Sequence, residues 1–595
     1  MNRFLQVFYI LFSALMLALA LPNEIFHFGQ PLIGILSLVP LYIAFTRFSS
    51  YSEAALLTGL HTFTVHICSS YWLGFFKDFA ALTLGASAVG TGVIGAIIGL
   101  TLYSPFARIK SNKILRIHSS PFYAQFIPFR ALWFCIVYVV YEWIKSCGWF
   151  GYPWGTISTT VYRWKILIQI ADITGTYGVT FLTCLFVSVL SEGYLLYLET
   201  GKFSKPFALF SYIKIFLFFI ALFILTFIYG CIKYFKPEKP IKYLNTILIQ
   251  QNADPWKEES DDETILTSQR LTKEQLEKLA ATGERADIVV WSEGCLKHAL
   301  PYSLSHYNRY PADEPLIPFI RKTGVPFLLG GSYRMSQKPR RSINAALLFD
   351  NNGNFRGAYG KNHLGPLAEV LPFSDVPAVA QFFKKGIGIS AGWTPGDQYV
   401  YFDIKGTAVD NVKKPAVKVI SLADPYSEPY TKHIEEENKR PYVRISAPIC
   451  FDDAFPDVCR PLVANGSELF MNITDDSWSL KASAEYQHFV VAAYRTIELR
   501  TTMARSTNSG YSVVITPKGD VIADMPLFEE TATTVKIPVY KRRTTTYLLL
   551  GNWLPHLCAL VAIAFEILMF IKRNETIETL SERKKFRKKK KSKKR

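Results

Sequence analysis

Long apolar runs fill residues 1–235 and one more returns at 547–571, whereas 241–540 alternates apolar and polar positions at strand and helix periods. A membrane-crossing helix takes about 20 mainly apolar residues. Eight stretches meet that approximately: 4–22, 27–46, 53–75, 79–104, 129–147, 166–197, 208–231 and 547–571. The first has signal-peptide features, with Arg3 ahead of the run and Ala18 and Ala20 near its end. Six more runs follow at once, so it is read as a retained helix. In the fourth, Gly90, Gly92, Gly95 and Gly99 point to close helix packing.

The pattern changes at Lys236-Pro237-Glu238-Lys239-Pro240, after which apolar runs shorten to strand length between turn residues. Thr246 to Gln250 and Ala286 to Trp291 read as buried strands. Ala345 to Asp350 and Phe355 to Tyr359 flank Asn351-Asn352-Gly353-Asn354, a hairpin turn signal. Tyr511 to Pro517 and Asp520 to Ala523, joined by Lys518-Gly519, make a second hairpin. Leu271 to Ala281 and Ala482 to Arg500 have helical spacing. Interspersed strands and helices predict an α/β or layered α+β domain.

Half the residues are apolar and 19% are charged, which excludes a purely soluble, disordered or fibrous chain. Of the net charge of +18, a large part sits in residues 572–595, with thirteen basic and three acidic residues. That tail reads as a solvated basic run, and no nucleic-acid partner is expected. The loop after the fourth run carries Arg108, Lys110, Lys113 and Arg116. Basic loops and tails stay cytoplasmic, which places the polar block on the opposite side. Six of nine cysteines lie in apolar segments, and the ten histidines do not cluster at metal spacing. Neither metal nor cofactor is expected, and His363 and His488 read as structural hydrogen-bonders.

Three strands end on reactive groups: Ile288-Val289-Val290-Trp291-Ser292-Glu293, Tyr359-Gly360-Lys361-Asn362-His363, and Val443 to Ile449 running into Cys450. A carboxylate, an amine and a thiol make a nucleophilic site: the carboxylate takes the thiol proton and the ammonium holds the oxyanion. A nearby cation also lowers a cysteine pKa toward the thiolate. Against this, a strand end often carries Glu or Lys as a solvated cap, and a buried cysteine is usually a small hydrophobe. Cys459, in an apparent helix start, and Cys295 are rival nucleophiles.

At these residues the chain resembles the carbon-nitrogen hydrolase (nitrilase) superfamily, and as a whole its membrane-bound branch, the apolipoprotein N-acyltransferase family. The motifs are Trp291-Ser292-Glu293-Gly294, Tyr359 to Leu364, Glu369-Val370-Leu371-Pro372-Phe373, Ile449-Cys450-Phe451-Asp452, Asn472 to Trp478 and Arg505 to Gly510. The resemblance implies an αββα-sandwich catalytic domain at 241–540, on the periplasmic side of a bacterial inner membrane. A membrane domain of seven helices at 1–235 precedes it; a last helix at 547–571 and a basic cytoplasmic tail at 572–595 follow. It makes Glu293 the general base, Lys361 the oxyanion-holding cation and Cys450 the nucleophile. Glu369 becomes a supporting carboxylate, Trp256 and Trp478 aromatic residues near an acyl chain, and Tyr152-Pro153-Trp154-Gly155 a stretch facing the lipid entrance.

The implied reaction moves an acyl chain from a phospholipid to the N-terminal amine of a diacylglyceryl-cysteine lipoprotein, through a thioester on Cys450, in a monomer. A membrane-tethered amidohydrolase and a non-enzymatic lipoprotein scaffold are the alternatives. This chain departs from the family in having Cys450-Phe451-Asp452 where Cys-Tyr-Glu is usual, and a longer polar stretch at 403–441 whose Glu435-Glu436-Glu437 run reads as exposed loop. Leu364 to Phe383 reads either as a mobile lid or as a packed loop. Gly386 to Ala391 matches a dinucleotide fingerprint without its flanking strand and helix and is set aside.

Overall fold

The computed structural model describes residues 3–76, 81–111, 121–200, 206–256, 260–338, 340–366, 369–371, 373, 376–382, 385, 392–405, 416–422 and 434–571. Six of the described helices are long and apolar enough to cross a membrane: Arg3–Ala20, Thr83–Ala107, Phe126–Ser146, Thr176–Leu198, Phe207–Phe235 and Trp553–Ile571.

Two of the eight expected runs fall short of that form, and a third is shortened. The second is split at Leu38 into Pro31–Ser37 and Val39–Phe45. Pro40, next to the break, has no N–H to donate and cannot continue the ladder of the preceding turn. The third is one helix, Tyr51–Ser69, whose Glu53, Thr58, His61, Thr62 and His66 dilute its apolar character. The sixth is shortened, because Gly175 at φ +64° breaks it and the long helix begins only at Thr176. The glycine run of the fourth packs on the third as expected. A Cβ at Gly95 would meet the Thr62 side chain at 2.0 Å, and one at Gly99 would meet Thr58 at 2.7 Å.

The polar block is a sandwich of two seven-stranded sheets. In the first, Lys242–Gln250 and Ile288–Val290 lie parallel near the centre. Both have only buried or nearly buried positions, as parallel strands covered on two faces require. The predicted hairpin forms from Arg340–Phe349 and Phe355–Gly360. In the second sheet, Leu469–Thr474 and Thr502–Thr507 run parallel at the centre, and Val513–Ile515 with Val521–Asp524 makes the second predicted hairpin. The 403–441 stretch contributes an edge strand, Ala416–Ser421, paired antiparallel to Gln398–Ile404. Its acidic run is a helical turn, Ile434–Glu437, rather than a loop; Glu436 is exposed as expected, whereas Glu437 pairs with Arg440 at 2.6 Å and with Arg542.

Helix Ala482–Leu499 joins the sandwich to the membrane helices, and its side chains are buried almost throughout. Gln487 donates to the carbonyls of Pro22 and Ser69, at 2.9 and 2.8 Å, and accepts from Trp72 Nε1. The Tyr494 hydroxyl reaches Ser158 O at 2.6 Å. One apolar core runs from Trp72, Trp154 and Tyr162 into Ile473, Phe489 and Tyr494. These hydrogen bonds and the shared core set the floor of the domain directly on the helices.

Candidate active site

Each of the three strand-end residues arrives in one buried cluster. Glu293 follows Ile288–Val290 two residues on, Lys361 follows Phe355–Gly360, and Cys450 opens the turn Cys450–Ala454. Lys361 Nζ donates to Glu293 Oε1 at 3.2 Å and to Glu369 at 2.9 Å, and it is 2% exposed. The Asn344 amide donates to Glu293 Oε1 at 2.6 Å, and the Asp475 N–H to Glu293 Oε2 at 2.9 Å. Glu369 also accepts from Gly365 N at 2.8 Å. A carboxylate with three donors is fixed in orientation, which acid–base work requires.

Cys450 holds φ +45°, a conformation that a residue with a Cβ rarely adopts. Such strain persists only where the surroundings impose it, and here the imposing group is Asp452. Its carboxylate accepts from Ile449 N at 3.1 Å, His363 N at 2.7 Å, Asn362 N at 3.1 Å and the Tyr359 hydroxyl at 2.9 Å. The short side chain therefore ties the Cys450 turn to the segment bearing Lys361. Burial, opposed by these N–H groups, pushes Asp452 up to about 7.

A second charged network, which the sequence reading did not foresee, meets the same sulfur. Cys450 Sγ donates to Asp476 Oδ1 at 3.7 Å. Asp476 Oδ2 lies 2.5 Å from His488 Nδ1, and His488 Nε2 lies 2.8 Å from Asp453 Oδ1. Asp453 also pairs with Arg505. Burial works against a charged His488, yet Asp476 and Asp453 outweigh it and raise the ring to about 9. His488 is thus an imidazolium donating from both nitrogens. Cys450, Asp476 and His488 have metal-ligand character by type. With both ring nitrogens committed, however, the histidine has no lone pair to offer a metal. His363 departs from its expected role: its backbone N–H bonds Asp452, while its ring Nε2 has no partner and the ring stacks on Phe455 at 3.6 Å.

Burial, reinforced by Glu293 and opposed by Lys361, holds the Cys450 thiol well above its ordinary range. The expectation that the cation would favour thiolate is reversed, because desolvation outweighs one ammonium already shared between two carboxylates. Burial also raises Glu293, with Lys361 opposing. Lys361 itself stays an ammonium: burial opposes the charge, but Cys450, Glu293 and Glu369 raise it well above the usual lysine range. The rival thiols are packed away, Cys459 against the carbonyls of Asp452 and Asp453 and Cys295 against Gly330 O.

Aromatic rings connect this cluster to the turn Tyr71–Phe75 and to the loop after Phe126–Ser146, at the ends of apolar helices. Phe451 stacks on Trp154 at 5.1 Å, and Trp154 neighbours Trp72 at 6.4 Å. Trp72 lies 5.7 Å from Trp478, which meets Phe76 at 5.2 Å, and Phe76 meets Trp256 at 5.3 Å. Trp256 Nε1 donates to Trp478 O at 3.2 Å, so both tryptophans belong to one wall. On its polar side, Glu293 and Asp475 border a cleft of about 320 Å³ that also includes Gln251, Asn508 and Thr264. Of the 364–383 stretch, the described part holds an exposed Phe373 and the helical turn Pro377–Phe382. Gly386 to Ala391 lies outside the described residues.

Residues 13–189 match the family described as apolipoprotein N-acyltransferase N-terminal domain, and residues 248–547 match carbon-nitrogen hydrolase. The chain is 38% identical over 579 residues to apolipoprotein N-acyltransferase 2 of Treponema denticola, covering 97% of this chain and 99% of that one. It is 34% identical to apolipoprotein N-acyltransferase 2 of Treponema pallidum, with 96% of each chain covered. To the apolipoprotein N-acyltransferase of Borreliella burgdorferi it is 27% identical, with 92% and 93% covered.

Proposed function

The chain belongs to the apolipoprotein N-acyltransferase family, and on that premise we propose that it transfers a fatty acyl chain from a phospholipid to the N-terminal amine of S-diacylglyceryl-cysteine in lipoproteins. The observation that carries this reading is the continuity between the Glu293–Lys361–Cys450 cluster and an aromatic wall that reaches the turns and loops at the ends of the apolar helices. A soluble amide substrate needs no such wall; an acyl donor that resides in a bilayer does.

In the first half-reaction Glu293 takes the Cys450 proton and the sulfur adds to the ester carbonyl. Lys361 holds the oxyanion while the ester C–O bond breaks, and Glu293 returns the proton to the departing lysophospholipid oxygen. In the second, the lipoprotein amine adds to the thioester carbonyl and gives its proton to Glu293. The C–S bond breaks and the thiolate recovers that proton, leaving an amide. Glu293, raised by burial, is a stronger base than an exposed carboxylate. Glu369 and Asn344 keep Lys361 and Glu293 in register; Phe451, Trp256 and Trp478 line the path of the acyl chain. A protonated resting thiol suits this order, because the nucleophile is uncovered only when a substrate displaces water.

The catalytic domain faces the periplasm in this reading. Between the basic loop at 108–116 and the domain stand Phe126–Ser146, Thr176–Leu198 and Phe207–Phe235; Trp553–Ile571 then returns the chain to the basic tail. An odd number of crossings separates loop from domain whatever the first four runs do. Incubation with phospholipid labelled in its acyl chain tests the function: a hydroxylamine-labile label is expected on wild type and none on Cys450→Ala. A wild type that stays unlabelled, or a Cys450→Ala variant that still matures lipoproteins, defeats the proposal.

A further inference from the structure

The histidines that show no metal spacing in sequence are brought together with a buried carboxylate elsewhere in the domain. Asp261, at the start of helix Asp262–Ala281, His298 in strand Leu296–Leu300 and His306 in the turn Leu304–Tyr307 each offer one ligand atom. Those three atoms lie within 4.8 Å of one another. The two imidazole rings are 4.0 Å apart at their centroids.

Asp261 divides its work in an informative way. It occupies a helix N-cap but makes no side-chain cap bond, the usual task of aspartate there. Oδ2 accepts from Lys297 N at 2.8 Å and from the Tyr307 hydroxyl at 2.6 Å, and that hydroxyl in turn accepts from His298 N at 3.0 Å. Oδ1 has no hydrogen-bond partner although the residue is wholly buried, and it faces His298 Nε2 at 4.0 Å, beyond hydrogen-bond reach. His306 Nε2 is likewise buried without a partner. A buried acceptor left without a partner is destabilising. One cation bonded to all three groups removes both vacancies.

We infer that Asp261, His298 and His306 form a binding site for one divalent transition metal ion of the zinc class. Two imidazoles and a carboxylate suit zinc and exclude the all-oxygen preference of calcium and magnesium. Ligand atoms of a tetrahedral zinc with bonds of about 2.0–2.1 Å lie about 3.3 Å apart, so side-chain adjustments of about 1 Å close the site. Water takes the fourth position on the side where His298 is exposed. The ion staples the helix start and the strand that directly follows Glu293-Gly294-Cys295, bracing the segment from which Glu293 projects. This inference is independent of the proposed acyl transfer.

Zinc titration of the full-length, chelator-stripped protein in detergent, with a chromophoric indicator as competitor, tests it. One equivalent is expected at micromolar affinity or better, a higher Tm, and visible bands of four-coordinate cobalt when Co²⁺ replaces zinc. His298→Gln and His306→Gln are each expected to weaken binding by more than about tenfold, given that even outer-sphere changes cost 10–100-fold. Cys450→Ser keeps the site intact. No binding by the wild type, unchanged binding by the two histidine variants, or loss of binding in Cys450→Ser overturns the assignment.

Discussion

Two charged clusters meet at Cys450. In one, Glu293 and Glu369 share Lys361, two carboxylates against one ammonium; in the other, Asp476 and Asp453 are matched by His488 and Arg505. The first is short of positive charge and buried, so it accepts a proton readily, which is the property a base needs. The second is balanced, and its Asp476 is held below the usual carboxylate range, against burial, by His488 and Arg505. A balanced cluster holds the sulfur in place without competing for its proton. The difference separates chemistry from positioning within a few ångströms of one atom.

The largest expected effect comes from emptying the first cluster of its cation. Lys361→Met is expected to slow acyl-enzyme formation by about 10²–10³-fold, the scale of losing an oxyanion donor. Labelling near the wild-type rate would break the comparison from that end.

Smaller effects of opposite sign are expected from the second cluster. Asp476→Asn removes a negative charge beside the sulfur, so iodoacetamide alkylation of Cys450 at neutral pH should quicken. His488→Gln removes the positive charge and should slow it. Half to one pKa unit corresponds to about three- to tenfold in thiolate. Damage to packing alone would shift both variants in the same direction, and that outcome would reduce the network to a structural prop.

The pH dependence of stability sharpens the same point. His488 is raised from 6.5 to about 9 on folding, so its contribution is complete below 6.5 and fades as pH climbs toward 9. The Tm of the wild type should fall across that window more steeply than that of His488→Gln; parallel curves would remove the imidazolium from the account. Asp452→Asn turns one acceptor oxygen into an N–H donor facing donors it now holds, so thermal unfolding should show a loss of about 1–3 kcal/mol.

The sequence by itself determined the local elements. Apolar runs, the Asn351-Asn352-Gly353-Asn354 turn and the strands ending on Glu293, Lys361 and Cys450 are all visible, because side-chain period and turn chemistry act over a few neighbours. Where a helical expectation was too simple, as at Leu38 and Gly175, a proline or a positive φ interrupted an otherwise apolar run. The tertiary structure alone decided which charges meet. Lys361 and Glu293 are 68 positions apart, and Asn344 lies in a strand with nothing local to mark it. Asp476, His488 and Asp453 sit on three different elements, and Asp261, His298 and His306 on three more. Whether a thiol beside a lysine becomes thiolate also depended on burial, which composition does not encode. Long-range pairing and desolvation are properties of the packed chain, and both had to be read from where the fold puts each group.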